Sequence, residues 1–141
     1  MTTLNDIRVA LESHLASTAT TPAPALPAIA WPNVPYTPAP GTSYLRVEFI
    51  PALRRPVVAG PNPEQRFSGL FYLTIFTAEE RGAAAGMALA DNLLTRFNGS
   101  SSIVTTNAIV RLEYSEAKMP LHDPPFYAIP IEVGWYAYTN S

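Results

Sequence analysis

The sequence predicts an α+β fold, in which a single, mostly antiparallel β-sheet carries two α-helices packed on one face. Segments that alternate apolar and polar side chains at every second residue mostly follow one another along the chain. Only two segments repeat apolar residues at the period of a helix. Consecutive strands with few helices favour this arrangement over a parallel sheet wound with helices on both faces. The 141 residues are expected to form one domain over 1–141.

The first helix is predicted over residues 3–17, where apolar residues recur at intervals of three and four: Leu4, Ile7, Leu11 and Leu15. Thr3 and Asp6 fit a loose capping box at its start. A Pro-rich segment over residues 20–42 follows and ends the helix, because proline lacks the N–H that a helix needs. This segment is expected to be extended, with at most a short strand at Ile29–Trp31.

Further strands are predicted from alternation at Ser43–Ile50, Arg66–Thr77, Ala108–Tyr114 and Phe126–Tyr138. The second of them is apolar on both faces, so we expect it to lie in the centre of the sheet or beneath a partner. In the third, Tyr114 is expected to point inward with Val110 and Leu112. Pro130 should make the fourth an edge, a bulge or a break, because proline cannot donate to a sheet ladder.

The second helix is predicted over Glu79–Phe97 from a narrow stripe at helical spacing: Ala83, Met87, Ala90, Leu94 and Phe97. Thr77 and Glu80 form a capping-box pattern at its start, and Asn98-Gly99 is a typical stop. The alanines in the stripe favour close packing of this helix on the sheet.

A long connection joins two of the strands, the loop over residues 51–66. It begins at Pro51 and is far longer than a hairpin turn of about two to five residues. Connections of this length are commonly functional, so this is the most informative loop in the chain.

Composition and charge exclude several functional classes. The chain has no cysteine, which excludes a disulfide framework, a cysteine nucleophile and thiolate metal sites. Nine Lys and Arg against eleven Asp and Glu give a net charge of −2, so no basic field attracts nucleic acid or an anionic membrane. We expect neither a targeting signal nor a membrane span. With 15 prolines and only 14% charged residues, the profile suits a subunit packed against other protein.

The residues that could carry catalysis are few. His122 and Asp123 could act as a general base for a serine among Ser100–Ser102, but no nucleophile motif supports this, and an exposed loop histidine is the favoured interpretation. His14 is expected to pack at the edge of the first helix's apolar stripe. No set of residues has metal-ligand spacing, so we predict no enzyme activity, no metal and no cofactor.

Arg54-Arg55 is the only adjacent basic pair in the chain. A weak phosphate contact is one interpretation of this pair. Contact with another protein is favoured, because arginine is enriched at protein interfaces.

Several segments, in this order and spacing, resemble one family of phage proteins. They read IRVALESHL, IAWPNV, GTSYLRV and GLFYLTIF, and then PIEVGWY near the C-terminus. Together with the helix of Gly82–Phe97, they are similar to segments of the tail terminator (tail-completion) proteins of long-tailed siphophages and prophages. The resemblance extends over nearly the whole chain, with Pro32 standing where the family has an acidic residue.

The resemblance implies a structural virion protein that acts by docking. Such a subunit would form a homo-oligomeric, hexameric ring that caps the tail tube protein, ends tube polymerisation and presents a docking surface to the head-connector or stopper protein. It would be assembled in the host cytoplasm and located in the neck of the virion tail. DNA would only pass through the ring's lumen without sequence-specific binding, and no membrane, reaction or cofactor is implied.

Chain position suggests which residues meet partners in this interpretation. The long loop, with Arg54, Arg55 and Arg66, would be an arm that reaches a neighbouring subunit or the tube. Inter-subunit ion pairs are expected from Glu79, Glu80 and Arg81. The alternatives are another neck or tail subunit, such as a connector stopper or a tube protein, and a small enzyme or ligand-binding domain that uses His122 and Asp123.

Overall fold

The computed structural model describes residues 2–17, 26–39, 41–61, 63–78, 84–123 and 126–139. Helices and strands follow one another there in the order α1 (Leu4–Ala16), β1 (Ala28–Ala30), β2 (Tyr44–Pro56), β3 (Gln65–Ala78), α2 (Ala84–Arg96), β4 (Ser102–Val104), β5 (Ile109–Ala117), β6 (Leu121–Asp123) and β7 (Phe126–Tyr138).

All the described strands belong to one sheet, with the order β1-β2-β3-β7-β5-β4 and with β6 beside β7. With two helices and 48% strand among the described residues, the α+β prediction is confirmed. The sheet is mixed and curled into a half-barrel, which refines the prediction of a single, mostly antiparallel sheet. The parallel pair is β1 with β2. Parallel neighbours need a long crossover, and residues 31–43 provide one.

The first helix forms as its apolar spacing predicts. Its buried residues are Ile7, Ala10, Leu11 and Leu15. The capping box is present, with Thr3 accepting from the backbone N–H of Asp6 and the Asp6 carboxylate accepting from that of Thr3. The buried stripe packs into the same core cluster as α2 and the β-sheet. Both helices therefore cover one face of the sheet.

The second helix is rotated relative to the predicted stripe. Ala90 and Phe97 of the predicted stripe are buried, as expected. Gly86, Leu89 and Leu93 are buried as well, whereas Met87, expected to face the sheet, is 39% exposed. Gly86 explains the rotation, because a Cβ there would lie 2.7 Å from Ile129 Cδ1. The helix therefore packs closely on the sheet at this glycine. The predicted start of the helix lies outside the described residues.

The predicted loop over residues 51–66 is shorter in the structure, since half of this segment, Pro51–Pro56 and Gln65–Arg66, is strand. β2 and β3 stay paired as far as Pro56 opposite Gln65. β1 pairs with β2 only at Tyr44–Arg46, so the later part of β2 is an edge strand. Proline's missing N–H does not remove a ladder hydrogen bond when it faces outward from an edge.

A short segment remains to connect the two strands. We call residues 57–64 the tip; it is closed by the Val57 N–H, which donates to the Glu64 carbonyl over 2.8 Å. Every described residue from Ile50 to Pro61 is exposed. The late part of β2 and the tip therefore form an arm, residues 51–64, at one end of the sheet.

Pro130 was expected to displace or break its strand, and this prediction is wrong. β7 runs without interruption between β3 on one side and β5 and β6 on the other. The Pro130 carbonyl accepts from the N–H of Lys118 over 2.8 Å, so Pro130's missing N–H also faces this side. Lys118 lies between β5 and β6, where the ladder changes partner. The proline is tolerated because it sits at that gap.

Candidate interaction surfaces

The base of the arm is set by a bulge in β2 and a glycine in β3. The pairing register shifts between Pro51 and Leu53, opposite Gly69. A Cβ on Gly69 would lie 2.8 Å from the Trp135 ring and would also collide with the backbone of β2. Trp135 is 1% exposed and stacks on Phe49 with a ring-centroid distance of 5.4 Å. The absence of a side chain at Gly69 therefore lets the Trp135 indole and the bulged part of β2 lie close to β3. The glycine and the bulge together set the direction of the arm.

The two adjacent arginines of the arm lie on opposite faces of β2. Arg54 is on the helix side, with its guanidinium 5.5 Å from the centre of the Phe67 ring. Arg55 lies on the other face, directly opposite Arg66 in the β2–β3 ladder. Like charges in directly opposed positions repel each other. An acidic group from outside the chain would relieve that repulsion.

Arg66 is held by neighbours in its own chain. Its guanidinium is 3.2 Å from the Glu113 carboxylate and 4.6 Å from the centre of the Tyr136 ring. Within the described residues, Arg55 makes no ion pair. Of the three arginines expected to meet a partner, Arg55 is thus the one whose charge is most available. Glu79, Glu80 and Arg81 lie outside the described residues, and their expected ion pairs stay predictions.

A groove of about 530 Å³ runs beside the other end of β2. The chain leaves β1 through a turn in which the Val34 N–H donates to the Trp31 carbonyl over 3.2 Å. Asn33 adopts a φ of 57° there, a conformation that asparagine tolerates better than most residues. Trp31, Val34 and Tyr36 form one wall of the groove, and residues 44 and 46–50 of β2 form the other.

The β2 wall of this groove is an uncovered sheet edge. β1 diverges after Ala30 pairs with Arg46, and no described strand pairs with Val47–Ile50 on that side. An uncovered edge presents backbone donors and acceptors to an incoming strand. Arg46 and Glu48 flank it with a loose contact of 3.6 Å and half-exposed side chains. The groove therefore offers backbone pairing, an apolar wall and a carboxylate that is weakly neutralised.

The sheet face opposite the helices, which we call the open face, carries a row of polar residues. Glu48, Tyr72, Glu132 and Glu116 are directly opposed in successive strands. Lys118 lies between the last two carboxylates, at 2.6 Å from Glu116 and 3.6 Å from Glu132. That cation offsets the repulsion between two opposed glutamates.

Tyr114 belongs to the open face, which corrects the prediction that it points inward. A register shift after Leu112 moves it to the other side of β5. Its ring lies over Gly134, where a Cβ would collide with it. The hydroxyl donates to Glu132 over 2.8 Å. This hydrogen bond, with burial adding to it, raises the pKa of Tyr114 to about 12.

Tyr114→Phe is expected to change how stability depends on pH. Because the folded-state pKa is raised to about 12 from an ordinary value of 10.0, the neutral hydroxyl stabilises the fold below pH 10 and this contribution is lost as pH rises towards 12. Thermal unfolding of the wild type should therefore weaken over that interval more than unfolding of the variant. The ultraviolet titration of tyrosinate should lose its highest-pH component in the variant. Identical titration curves for the two proteins would contradict this assignment.

The structure separates the residues of the weak catalytic interpretation. His122 is exposed on β6 and packs edge-on against Tyr127, with ring centroids 5.6 Å apart. It lines a cavity with Arg46 and Thr74, whereas Ser100 lines a different cavity beside Arg66. Ser100 therefore does not share a cavity with this histidine.

His14 packs, as predicted, at the junction of the two helices. Its Nε2–H donates to the Arg96 carbonyl over 2.8 Å, and its ring packs edge-on to Phe97. Arg96 in turn donates to the Ser17 carbonyl over 2.7 Å. These contacts join the C-terminal ends of both helices.

Within the described ranges, no group of three or more His, Cys, Asp or Glu residues could hold a metal ion. In the same part of the chain, neither α1 nor α2 has the length and apolar character that a membrane-crossing helix needs.

Sequence reasoning missed the groove and the base of the arm. The groove joins residues 31–38 to residues 46–50, and its existence depends on where β1 leaves β2. Trp31, an aromatic residue within the Pro-rich segment, was the one visible signal. At the base of the arm, the isolated Gly69 within an apolar strand pattern was a usable sign of close backbone approach.

Comparisons with known proteins show which family and which fold the chain resembles. A family model described as phage tail terminator protein matches residues 6–135. No curated protein matches the chain significantly. Among solved structures, one chain without a descriptive name is similar, with a TM-score of 0.76 and 24% sequence identity over 96% of this chain and 95% of that chain. That similarity shows a shared fold.

Proposed function

The chain belongs to the phage tail terminator protein family, and from this premise we propose that it forms a hexameric ring that caps the tail tube, ends tube polymerisation and offers a docking surface to the head connector. Family membership makes it a structural component of the virion tail, in a family that is not one of enzymes. The proposed mechanism is docking between folded surfaces, in the neck of a siphophage.

One observation carries the proposal, namely the uneven coverage of edge strand β2. Its late part extends into an exposed arm, and its middle part borders a groove with an uncovered backbone edge. Natural proteins rarely leave a long sheet edge exposed, because it can pair with other chains. Two such features on one strand are suited to contacts between subunits and with the tube end.

Within this proposal, the charged residues that were expected to meet partners have specific roles in contacts between subunits and with the tube. Arg55, opposed by Arg66 and without an ion pair among the described residues, is available to a carboxylate of a neighbouring subunit or of the tube. Arg54, stacked on Phe67, presents its charge on the helix side of the arm. Glu79, Glu80 and Arg81 keep their proposed role in inter-subunit ion pairs. Because each chain has a net charge of −2, the ring is proposed to let DNA pass without holding it.

Native mass and negative-stain imaging of the purified protein, alone and mixed with tail tubes, test the proposed ring. We expect hexamers, or caps at the ends of tubes, and tubes that no longer elongate when tube protein is added. The reason is that a capping ring covers the surface on which the next tube ring would assemble. Heat-unfolded protein added in equal amount serves as the control.

Each other outcome has a defined meaning. Filaments formed by this chain alone would indicate a tube protein instead, which is the main alternative within the same family of structures. Binding to isolated head connectors but not to tubes would indicate a connector stopper. A monomer that binds neither would contradict the proposed function.

A further inference from the structure

The groove beside β2 is not filled by the arm of its own chain. The tip begins at Val57, seven residues beyond Ile50 on the same strand. At about 3.3 Å per residue, an extended strand places Val57 roughly 20 Å from the groove. Ladder pairing up to Pro56 and Gln65 prevents this strand from folding back. Any arm that fills the groove must therefore come from a second copy.

We infer that the groove beside β2 receives the tip of a neighbouring copy of the same chain. This inference rests on the proposed ring and specifies how its subunits join. An extended segment that adds to an uncovered sheet edge gains main-chain hydrogen bonds, and side-chain pockets give specificity. In the groove, Val47–Ile50 supply the edge, and Trp31 and Val34 supply the apolar wall.

The tip has the side chains that this groove would take. Val57 and Val58 are adjacent, and Val58 is 62% exposed. They are flanked by Pro56 and Pro61, which restrict the chain before it binds. A segment that is already stiff loses less conformational entropy when it docks. In the groove, Val34 is also largely exposed, at 56%.

Charge also favours this occupant. Arg55 precedes the tip, lies opposite another arginine and makes no ion pair among the described residues. Glu48 borders the groove, is half exposed and contacts Arg46 only at 3.6 Å. Docking the tip along the β2 edge brings a basic arm towards an acidic position.

The contact is heterologous, because the tip and the groove are different surfaces on each subunit. A heterologous contact repeats from one subunit to the next and closes into a ring when its rotation allows. Each subunit gives one tip and receives one. The geometry therefore accounts for a ring without a separate set of interface residues.

Cysteine cross-linking tests this contact, because the natural chain has no cysteine. A variant with both Val34→Cys and Val58→Cys is treated with a short bismaleimide, alone and on tail tubes. Both positions are exposed, so the fold should be retained. We expect a ladder of cross-linked species that ends at the ring size. The two cysteines of one chain are too far apart for the linker to join them.

Matched variants complete the test. Val58→Cys with Val104→Cys should give no ladder, since Val104 is 70% exposed but lies on β4. Val58→Asp should weaken assembly by about tenfold or more, as expected when a buried valine is replaced by a charge, whereas Val104→Asp should not. Rings that form without a Val34–Val58 ladder would overturn this inference and leave the proposed function intact. Absence of rings and caps in every condition would overturn both.

Discussion

Trp135→Ala is expected to lower the free energy of unfolding by about 3–5 kcal/mol, the range measured for truncating large aromatic residues in cores. Trp135 is the largest fully buried side chain, and its ring stacks on Phe49 at an interplanar angle of 8°. The substitution leaves a cavity between β7 and the base of the arm. Because a domain is stable by only about 5–15 kcal/mol, this loss brings the protein close to unfolding at ordinary temperature.

Urea denaturation followed by circular dichroism measures the loss. Trp135→Phe is the informative control, because the indole Nε1 is buried and has no hydrogen-bond partner among the described residues. Phenylalanine keeps an aromatic ring on Phe49 and removes a donor that burial leaves unsatisfied, so it should cost clearly less than alanine. Trp31→Ala, in the partly exposed groove wall, should cost less again. Equal losses for Trp31→Ala and Trp135→Ala would contradict the placement of Trp135 in the core.

Sequence patterns predicted correctly the elements whose formation depends on residues close to one another in the chain. The capping box and apolar spacing of α1 lie within a few residues of one another, and its prediction is confirmed. The alternation of side chains along the sequence predicted β2, β3 and β7. Successive side chains of a strand point to opposite faces of the sheet, so the pattern indicates which face is buried.

The errors concern features that depend on distant residues. Whether a proline breaks a strand depends on which neighbour its missing N–H would have faced, as Pro130 shows at the gap between β5 and β6. Which face of α2 is buried depends on the contact between Gly86 and Ile129, a residue of β7 that is distant in the sequence. Tyr114 was predicted to point inward. A bulge after Leu112 reverses which residues of β5 face each side of the sheet, so this prediction is wrong.

For the same reason, the surroundings of the candidate site residues could not be predicted from the sequence. Adjacent arginines are visible in a sequence, and exposure of Arg54 and Arg55 agrees with a role in contacts. Their different surroundings are not visible, since Phe67 and Arg66 reach them across the ladder. The groove requires knowledge of where β1 leaves the sheet.

Shortening the tip is expected to abolish ring assembly while leaving the fold intact. Residues 58–63 would be replaced by Asn-Gly, which joins Val57 directly to Glu64 through a two-residue turn. These two residues already form a hydrogen bond of 2.8 Å, as the residues that flank such a turn do. Asn-Gly favours the turn type whose twist suits a hairpin. Residues 58–61 of the removed segment are exposed, and Pro63 is only partly buried, so the core keeps its contacts.

Native mass, tube capping and thermal unfolding are measured on the same preparation. We expect a monomer with a melting temperature close to that of the wild type and no caps on tail tubes. A variant in which residues 58–63 become a Gly/Ser segment of equal length is the matched control. Because it keeps the length of the tip but lacks Val58 and the prolines, it should also fail to assemble.

The two variants distinguish whether assembly needs only the length of the tip or also its side chains. If the Gly/Ser variant assembles and the shortened one does not, the tip acts as a spacer, and the valine contact with the groove is wrong. If both assemble, the subunits join through other surfaces, and the open face with its row of glutamates becomes the next surface to test. Loss of assembly in both, with an unchanged fold, follows if the tip is the segment that one subunit inserts into the next.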